Sequence, residues 1–323
     1  MKKCVVIVPA LNEEKTLGTV IDKIPRILFD DIYFETVVIN DGSTDRTAEI
    51  AAEHGATVIN HTLPQGVGAS FADGIREALN RRADYAVNID ADGQMNPEDI
   101  KKLLFPIWEG LSDMVTASRF MDKEKYPNMP FIKRWGNDRV AEIVSSIVGN
   151  KYYDVSCGFR AYNREALLRL NLYGKFTYTQ ETFINLAGSS HIRIQEVPIE
   201  IRGEREFGKS RVASNIARYA IRSGSIILSA FKDYRPIRFF GGISLISLLL
   251  GIVFEAIMFA NYIMTGHFRG YLWAGLIGAF FAVVSMIFLI IMIVSDTLGK
   301  LKRTEEEILY LNKKREYYGK NEN

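Results

Sequence analysis

The sequence has few of the residues that build disulfide frameworks, zinc sites or hydrolase triads. It contains two cysteines, Cys4 and Cys157, and four histidines in 323 residues. Two cysteines are too few for a disulfide framework, which favours a reducing compartment. The histidines are scattered without the spacing of metal ligands, and the sequence shows no Ser-His-Asp or Cys-His arrangement typical of a nucleophilic active site.

A signal peptide, internal repeats and the common phosphate-binding motifs are also missing. The N-terminal apolar run CVVIV is too short for the apolar core of a signal peptide, and acidic residues follow it in PALNEE. The glycine-rich segment LPQGVGASFADG (63–74) is not GxGxxG and has no P-loop lysine. A Rossmann dinucleotide site and a Walker site are therefore poor matches.

The small net charge of +2 is unevenly distributed along the chain. Residues 1–200 carry 23 Lys and Arg against 28 Asp and Glu, and residues 201–323 carry 17 against 10. An acidic globular part is thus followed by a basic, apolar part. This pattern favours a membrane as partner rather than a nucleic acid.

Short β-branched runs alternate with helical patterns over residues 1–120. Runs without polar alternation are typical of strands buried on both faces, and the βα alternation predicts a parallel sheet with crossover helices. Ligands bind beyond the carboxyl ends of the strands in such sheets. The predicted strands are 4–8, 34–40, 56–60, 84–89 and 113–118, and the predicted helices are 13–25, 45–54, 66–82 and 97–109.

Acidic side chains follow three of the predicted strands, at Glu13, Asp41 and the pair Asp90 and Asp92. On a strand, residues 90 and 92 share a face, where like charges repel each other unless a cation lies between them. Oxygen ligands of this kind suit a hard divalent ion. The alternative is a strand end followed by an ordinary turn at Asp92-Gly93.

Four motifs in order carry a resemblance to a known family: PALNEE (9–14), NDGSTDRT (40–47), GVG (66–68) and DADGQ (90–94). At these spacings the chain resembles family 2 glycosyltransferases, and more narrowly their dolichyl-phosphate mannose synthase and polyprenyl-phosphate glycosyltransferase branch. The resemblance covers about residues 3–235. It implies an α/β fold of the GT-A type over residues 1–210, with a mixed, mostly parallel sheet that binds a nucleotide sugar.

The resemblance also implies roles for individual residues. It implies a DxD motif that holds Mg²⁺ or Mn²⁺ through Asp90 and Asp92. The implied donor-binding residues are Pro9, Leu11, Glu13, Ile39, Asp41 and Asp90. The implied catalytic residues are Asp92, Gln94, Arg119 and Arg205. The residues implied at the acceptor phosphate are Lys133, Arg134, Ser210 and Arg211.

The nucleophile distinguishes the possible acceptors. A lipid phosphate is already anionic near neutral pH and needs cationic surroundings, whereas a sugar hydroxyl needs a general base. The chain offers Arg119, Lys123, Lys125, Lys133 and Arg134 between residues 119 and 134. Glu181 in TYTQETF is either a base or a structural acid near the acceptor site.

We therefore predict an inverting transferase that moves a hexose from a UDP- or GDP-sugar to a polyprenyl or dolichyl phosphate. Two alternatives remain open. One is a membrane glycosyltransferase that extends a glycan or glycolipid hydroxyl. The other is a membrane scaffold that binds nucleotide sugars without turnover.

Two apolar segments, 239–264 and 271–294, each exceed the ~20 residues needed to cross a bilayer core. They predict a two-span region over residues 239–296. Basic residues flank the spans while the connecting loop 265–270 has little charge, so the catalytic domain and both termini are expected in the cytoplasm of a multi-pass membrane protein. Residues 211–238 mix apolar and basic positions and predict helices that lie in the membrane interface.

Two features near the spans leave alternatives open. Glu255 lies in the middle of the first span, either facing a neighbouring protomer of a homo-oligomer or as a protonated or snorkelling acid. The tail, 297–323, predicts an amphipathic cytoplasmic helix, either solvated or packed in an oligomer.

Overall fold

The computed structural model describes residues 1–29, 31–122, 129, 131–172, 178–188, 192–202 and 235–319, with Gly224, Leu228 and Lys232; the side chains of residues 131–133 and 147 are not described. Within this part of the chain the strands are β1 (Lys2–Ala10), β2 (Ile27–Leu28), β3 (Ile32–Asn40), β4 (Thr57–Asn60), β5 (Tyr85–Asn88), β6 (Met114–Ser118), β7 (Arg160–Asn163) and β8 (Ile194–Pro198). The helices are α1 (Leu17–Asp22), α2 (Thr47–Glu53), α3 (Val67–Asn80), α4 (Ile100–Trp108), α5 (Phe131–Val148), α6 (Arg164–Arg169), α7 (Thr179–Gly188), α8 (Pro236–Thr265) and α9 (Leu272–Tyr317), and a 3₁₀ turn, Pro97–Asp99, precedes α4.

The N-terminal β-branched run forms a central strand of the sheet. β1 pairs in parallel with β3 on one side and with β5 on the other. Its residues from Cys4 to Val8 are fully buried, since helices cover both faces of a sheet of this kind. The absence of polar alternation therefore correctly indicated a strand buried on both faces.

The sheet is mixed, in the order β2-β3-β1-β5-β7-β6-β8, and β4 pairs with the end of β3. β7 runs antiparallel to both of its neighbours, β5 and β6. Residues 154–159, which precede β7, therefore lie at the same edge of the sheet as the carboxyl ends of β1, β3, β5 and β6. This edge collects the loops that carry the predicted site.

The chain divides into two units, Met1–Ile227 with Glu306–Asn323, and Leu228–Glu305. In the second unit, α8 and the first part of α9 are long and apolar enough to cross a membrane. Ser244 Oγ donates to the carbonyl of Ser285 at 2.9 Å. A Cβ on Gly278 would lie 3.0 Å from the carbonyl oxygen of Gly251, so the two helices are in backbone contact there.

Glu255 packs against the second helix of the same hairpin. A Cβ on Gly278 would lie 2.9 Å from Glu255 Cγ and 3.0 Å from its Oε1. The glycine therefore leaves the space that the glutamate side chain occupies. This contact lies within one chain, and a role in a homo-oligomer stays a prediction.

The last turns of α9 belong to the first unit and pack on it. Tyr310 OH donates to Glu165 at 2.9 Å, and the Arg169 guanidinium lies 4.0 Å from the centre of the Tyr310 ring. Lys313 Nζ donates to the carbonyl of Leu170 at 2.7 Å, and burial lowers the pKa of this ammonium group. Tyr318 OH reaches the carbonyl of Ala83 at 2.8 Å. The tail was expected to be solvated or to pack in an oligomer; in the structure it docks on its own catalytic unit.

This docking predicts that the tail stabilises the catalytic unit. Tyr310 and Tyr318 are each 8% exposed, so replacing both with alanine should remove roughly 3–5 kcal/mol of unfolding free energy. We expect the thermal midpoint of this unit, measured by the fluorescence of Trp108 and Trp135, to fall by roughly 6–12 °C.

The matched control changes Ile308 and Leu311 to alanine, because both lie on the exposed side of the same helix segment. This control should leave the midpoint within about 2 °C of the wild type. Equal midpoints for the two double variants would show that the tail contributes nothing to the stability of the unit.

Candidate active site

The loops that follow β1 and β3 hold each other at the carboxyl edge of the sheet. The amide N of Asn12 donates to Ser43 Oγ at 2.9 Å, and its side-chain oxygen accepts from the amide of Thr44 at 2.7 Å. The amide of Glu13 donates to Thr47 Oγ1 at 2.8 Å. Asn12 has a positive φ of 50°, which asparagine tolerates better than most residues. PALNEE and NDGSTD therefore form one continuous wall.

The predicted donor-binding residues of β1 and β3 lie on this wall. Pro9 and Ile39 are direct neighbours in the parallel register of the two strands. Ile39 is fully buried, whereas Pro9, Leu11 and Glu13 are partly exposed at the edge. Asp41, which directly follows β3, is 4% exposed.

The DxD motif lies in a turn beyond β5. The strand predicted to run to residue 89 ends at Asn88, so the expectation that Asp90 and Asp92 share a strand face is wrong. Asp92 is 4% exposed, and its Oδ1 accepts from the amide of Gln94 at 3.1 Å. A Cβ on Gly158 would lie 3.5 Å from Asp90 Oδ1, so this carboxylate faces the backbone that precedes β7.

Gln94 connects this turn to the segment that follows β8. Its Nε2 donates to the carbonyl of Arg202 at 2.9 Å, and the amide of Arg202 donates back to the Gln94 carbonyl at 3.1 Å. The segment that leads to the predicted site residues Arg205, Ser210 and Arg211 is thus anchored next to the DxD turn. These three residues lie outside the described residues, as does most of the interfacial segment 211–238.

A buried polar floor, formed by Asn88, Gly158 and Tyr178, lies next to Asp90. Asn88 Nδ2 donates to the Gly158 carbonyl at 2.9 Å and to the Tyr178 hydroxyl at 2.7 Å. Tyr178 stacks on Phe71 with ring centres 4.1 Å apart. Burial, and then the charge of Asp90, raise the pKa of Tyr178 well above its ordinary value, so the phenol keeps its proton. This floor could not be predicted from the sequence, because residues 88, 158 and 178 are far apart in the chain and no motif links them.

Arg119 directly follows β6 and is held by a bidentate ion pair. Its Nε and one terminal nitrogen donate to the two oxygens of Asp154 at 2.7 and 2.9 Å. Burial would raise the pKa of the Asp154 carboxyl, but the charge and hydrogen bonds of Arg119 outweigh it and lower that pKa. Asp154 was missed because its importance depends on a residue 35 positions away. Its signal is an acid immediately before the segment VSCGFRAYN.

The same network reaches α5, which carries the predicted basic patch. Arg119 donates to Ser156 Oγ at 2.7 Å, and Ser156 Oγ donates to Asn137 Oδ1 of α5 at 3.0 Å. Arg134 is exposed on the first turns of α5, and Lys133 lies beside it with an undescribed side chain. The structure therefore connects Arg119 to the helix of the predicted acceptor-phosphate residues.

Glu181 lies in the first turn of α7, where the helix dipole favours a carboxylate. The buried Arg160 donates to the carbonyl of Thr179 at 2.8 Å and so fixes the start of this helix. This position agrees with a structural acid and leaves a role as base untested.

Within the described residues, no group of three or more His, Cys, Asp or Glu side chains could hold a metal ion. Asp90 and Asp92 are a pair, so a metal here would need further ligands from a substrate or from water. Mg²⁺ sites of this kind commonly use one or two carboxylates together with substrate phosphates.

Comparison with known proteins identifies the family of the chain. The model of glycosyl transferase family 2 matches residues 5–170. A UDP-N-acetylglucosamine–dolichyl-phosphate N-acetylglucosaminyltransferase of Methanococcus voltae is 31% identical over 213 residues, which cover 60% of this chain and 83% of that protein. A polyprenol monophosphomannose synthase of Mycolicibacterium smegmatis is 28% identical over 234 residues, which cover 68% of this chain and 84% of that protein.

A solved structure shares the fold. Glucosyl-3-phosphoglycerate synthase from Mycobacterium tuberculosis, in complex with Mn²⁺, UDP-glucose and phosphoglyceric acid, superposes with a TM-score of 0.55 at 21% identity, covering 71% of this chain and 79% of that one. The match confirms the predicted GT-A fold, and the family match confirms the predicted family. This chain belongs to glycosyltransferase family 2.

Proposed function

We propose that this glycosyltransferase moves one hexose, with inversion, from a UDP- or GDP-sugar to a polyprenyl or dolichyl phosphate at a membrane surface. The observation that carries the proposal is that two helices long and apolar enough to cross a membrane are inserted in the sequence of a family 2 catalytic unit. A soluble acceptor would not require this attachment to the bilayer. The names of the two relatives described above, which refer to dolichyl phosphate and polyprenol, support the same acceptor class.

In the proposed reaction, the bond between sugar C1 and the donor diphosphate breaks, and an oxygen of the lipid phosphate forms a new bond to C1. The nucleoside diphosphate leaves. The attacking oxygen is already anionic near neutral pH, so it requires no general base. The guanidinium of Arg119, oriented by Asp154, supplies fixed positive charge at this edge, and Arg134 adds charge on α5.

We assign a Mg²⁺ or Mn²⁺ ion to Asp90 and Asp92, whose hard oxygen donors fit either ion. When bound, such an ion would neutralise the donor diphosphate as a Lewis acid. The hydrogen bond from the Gln94 amide holds Asp92 in place for this role, and the other carboxylate, Asp90, lies against the backbone of Gly158.

For the topology, we propose that the catalytic unit and both termini are cytoplasmic. The chain leaves the first unit for two candidate spans and returns to it at Glu306, and an even number of spans would place both flanks on the same side of the membrane. Residues 202–238 carry nine basic residues against three acidic ones, and the positive-inside rule places this side in the cytoplasm.

The proposal is tested with the purified full-length protein in nanodiscs. We expect incubation with a short polyprenyl phosphate, Mn²⁺ and a panel of UDP- and GDP-sugars to give a product heavier by one hexose, read by mass spectrometry. Glu181→Gln should retain at least about a third of the wild-type rate, because an anionic acceptor needs no base.

Transfer to a glycolipid hydroxyl, with loss of this activity in Glu181→Gln, would instead support the extension of a glycan. Nucleotide-sugar binding without transfer to any acceptor would support a scaffold. Either result would overturn the proposed function.

A further inference from the structure

His61 lies between two carboxylates at the edge that carries the donor-binding residues. Its Nδ1 is 2.7 Å from Asp41 Oδ1, and its Nε2 is 3.0 Å from Asp73 Oδ2. The His61 side chain is 5% exposed. A neutral imidazole has one N–H and could donate to only one of these oxygens, while its bare nitrogen would face the other. His61 is one of four histidines scattered along the sequence, and no spacing pattern distinguishes it from the other three.

Both carboxylates also accept from other donors in the same unit. Asp41 accepts from the backbone amides of Gln65 at 2.8 Å and Gly66 at 2.9 Å. Asp73 forms an ion pair with Arg76 at 2.8 Å. Each ring nitrogen of His61 therefore faces a carboxylate that also accepts from other donors, and a ring that donates from both nitrogens satisfies both contacts. The charges that face the ring are those of Asp41 and Asp73, with Arg76 behind Asp73.

The bridge fixes the loop between β4 and α3 against the end of β3. A Cβ on Gly42 would lie 2.8 Å from the backbone nitrogen of Pro64, and Gly42 has a φ of +73°. The loop thus lies directly on the backbone beside Asp41. The two backbone hydrogen bonds and the histidine bridge together hold Asp41 in one position.

We propose that His61, as an imidazolium that donates from both ring nitrogens, is a positioning residue for the nucleotide of the donor. The inference rests on the proposed function only in assigning this wall to the donor. Without the cation, Asp41 would keep only its two backbone donors and Asp73 only its pair with Arg76, which leaves more negative charge beside a site for an anionic diphosphate. Among the described residues, the ring's hydrogen-bond partners are Asp41 and Asp73, so the effect should appear in nucleotide binding rather than in the chemical step.

The first measurement is the protonation of the ring. In full-length protein labelled with ¹⁵N-histidine at pH 7, we expect both ring nitrogens of His61 to show the chemical shift of protonated nitrogen. The signal is assigned by its loss in His61→Gln. A single protonated nitrogen on His61 would overturn the proposal.

The second measurement is nucleotide affinity. We expect His61→Gln to raise the Kd of UDP or GDP, whichever the wild type binds more tightly with Mn²⁺, by about tenfold. The KM of the sugar donor should rise in parallel, while kcat stays within about threefold. His54→Gln is the matched control, because His54 pairs with one carboxylate, Asp22, at 2.7 Å, and it should not change the Kd.

A rescue variant separates positioning from general stability. In His61→Gln with Asp73→Asn, the second acid is removed together with the cation, so part of the lost affinity should return. An unchanged Kd in His61→Gln, or a fall in kcat at constant KM, would contradict the proposal. If His61→Gln does not fold, Asp73→Asn alone should weaken nucleotide binding by less than tenfold, and an unchanged Kd would then contradict it.

These readouts do not depend on the acceptor. A protein that shows the doubly protonated ring and the weakened nucleotide binding but never glycosylates a polyprenyl phosphate would contradict the proposed function alone. A protein that makes the lipid-linked sugar with an unaffected His61→Gln variant would contradict the positioning role alone.

Discussion

Replacing Asp92 with asparagine is expected to lower the transfer rate by about a thousandfold. Charge stabilisation by a bound metal contributes several kcal/mol to a transition state, and each 1.36 kcal/mol is about tenfold in rate. Asparagine keeps an oxygen that can accept from the Gln94 amide, so the turn beyond β5 should persist. The loss should therefore reflect the missing negative charge rather than a collapsed loop.

The measurement is the initial rate of lipid-linked sugar formation, together with Mn²⁺ binding followed by electron paramagnetic resonance. Glu98→Gln is the matched control, because it removes the same charge from an exposed position six residues further along the chain. The control should retain the wild-type rate. A rate for Asp92→Asn within threefold of wild type, or full activity of the wild type in EDTA, would exclude the assigned metal role.

The β-branched runs predicted most of the parallel half of the sheet, because a strand that is buried on both faces has an uninterrupted apolar sequence. All five predicted strands are present, and their ends differ by at most two residues from the predicted ones. The strands β2, β7 and β8 were not predicted. β7 has the sequence RAYN and begins with the buried Arg160. This arginine can be buried because it donates to the carbonyl groups of Thr179 and Val155, which are not adjacent to it in the sequence. β8 is a half-exposed edge strand whose pattern is weak.

The candidate site divides in the same way. Acidic residues beyond the strand ends, such as Asp41, Asp90 and Asp92, could be predicted because parallel strands deliver their ends to one edge, whereas the role of Arg119 was implied only by the family resemblance. Residues that act through a distant partner could not. Asp154 and His61 become significant only when the fold brings them to Arg119 and Asp41, and no local spacing encodes either contact.

The second large effect is expected at Asp154, which is 1% exposed. Its two oxygens accept from the backbone and side chain of Arg119 and from the backbone amides of Ser156 and Cys157. Every one of these partners is a donor. An asparagine at position 154 would place its side-chain NH₂ group, itself a donor, against one of these donors in either orientation of its amide. Breaking a buried charge pair in this way costs about 3–5 kcal/mol of unfolding free energy.

Because the pKa of Asp154 is lowered in the folded state, its contribution to stability is present above its ordinary pKa and is lost as the pH falls through the folded value. The stability difference between wild type and Asp154→Asn should therefore be constant above about pH 5 and shrink below about pH 4. Denaturant unfolding at a series of pH values measures this difference. A difference that grows with acid would contradict the assigned ion pair.

The same variant should lower kcat by about a hundredfold at conditions where it remains folded, since Arg119, to which we assign a role in the proposed reaction, loses the partner that orients its guanidinium. Asp113→Asn is the matched control. Asp113 holds Arg193 through both oxygens at 3.0 and 3.1 Å, but it precedes β6 and so lies at the opposite edge of the sheet from Arg119. Breaking that pair should lower stability and leave kcat within about twofold. Equal losses of kcat in the two variants would mean that Asp154 acts through stability alone. A loss of kcat in Asp154→Asn but not in Asp113→Asn would show that the orientation of Arg119 matters for the reaction.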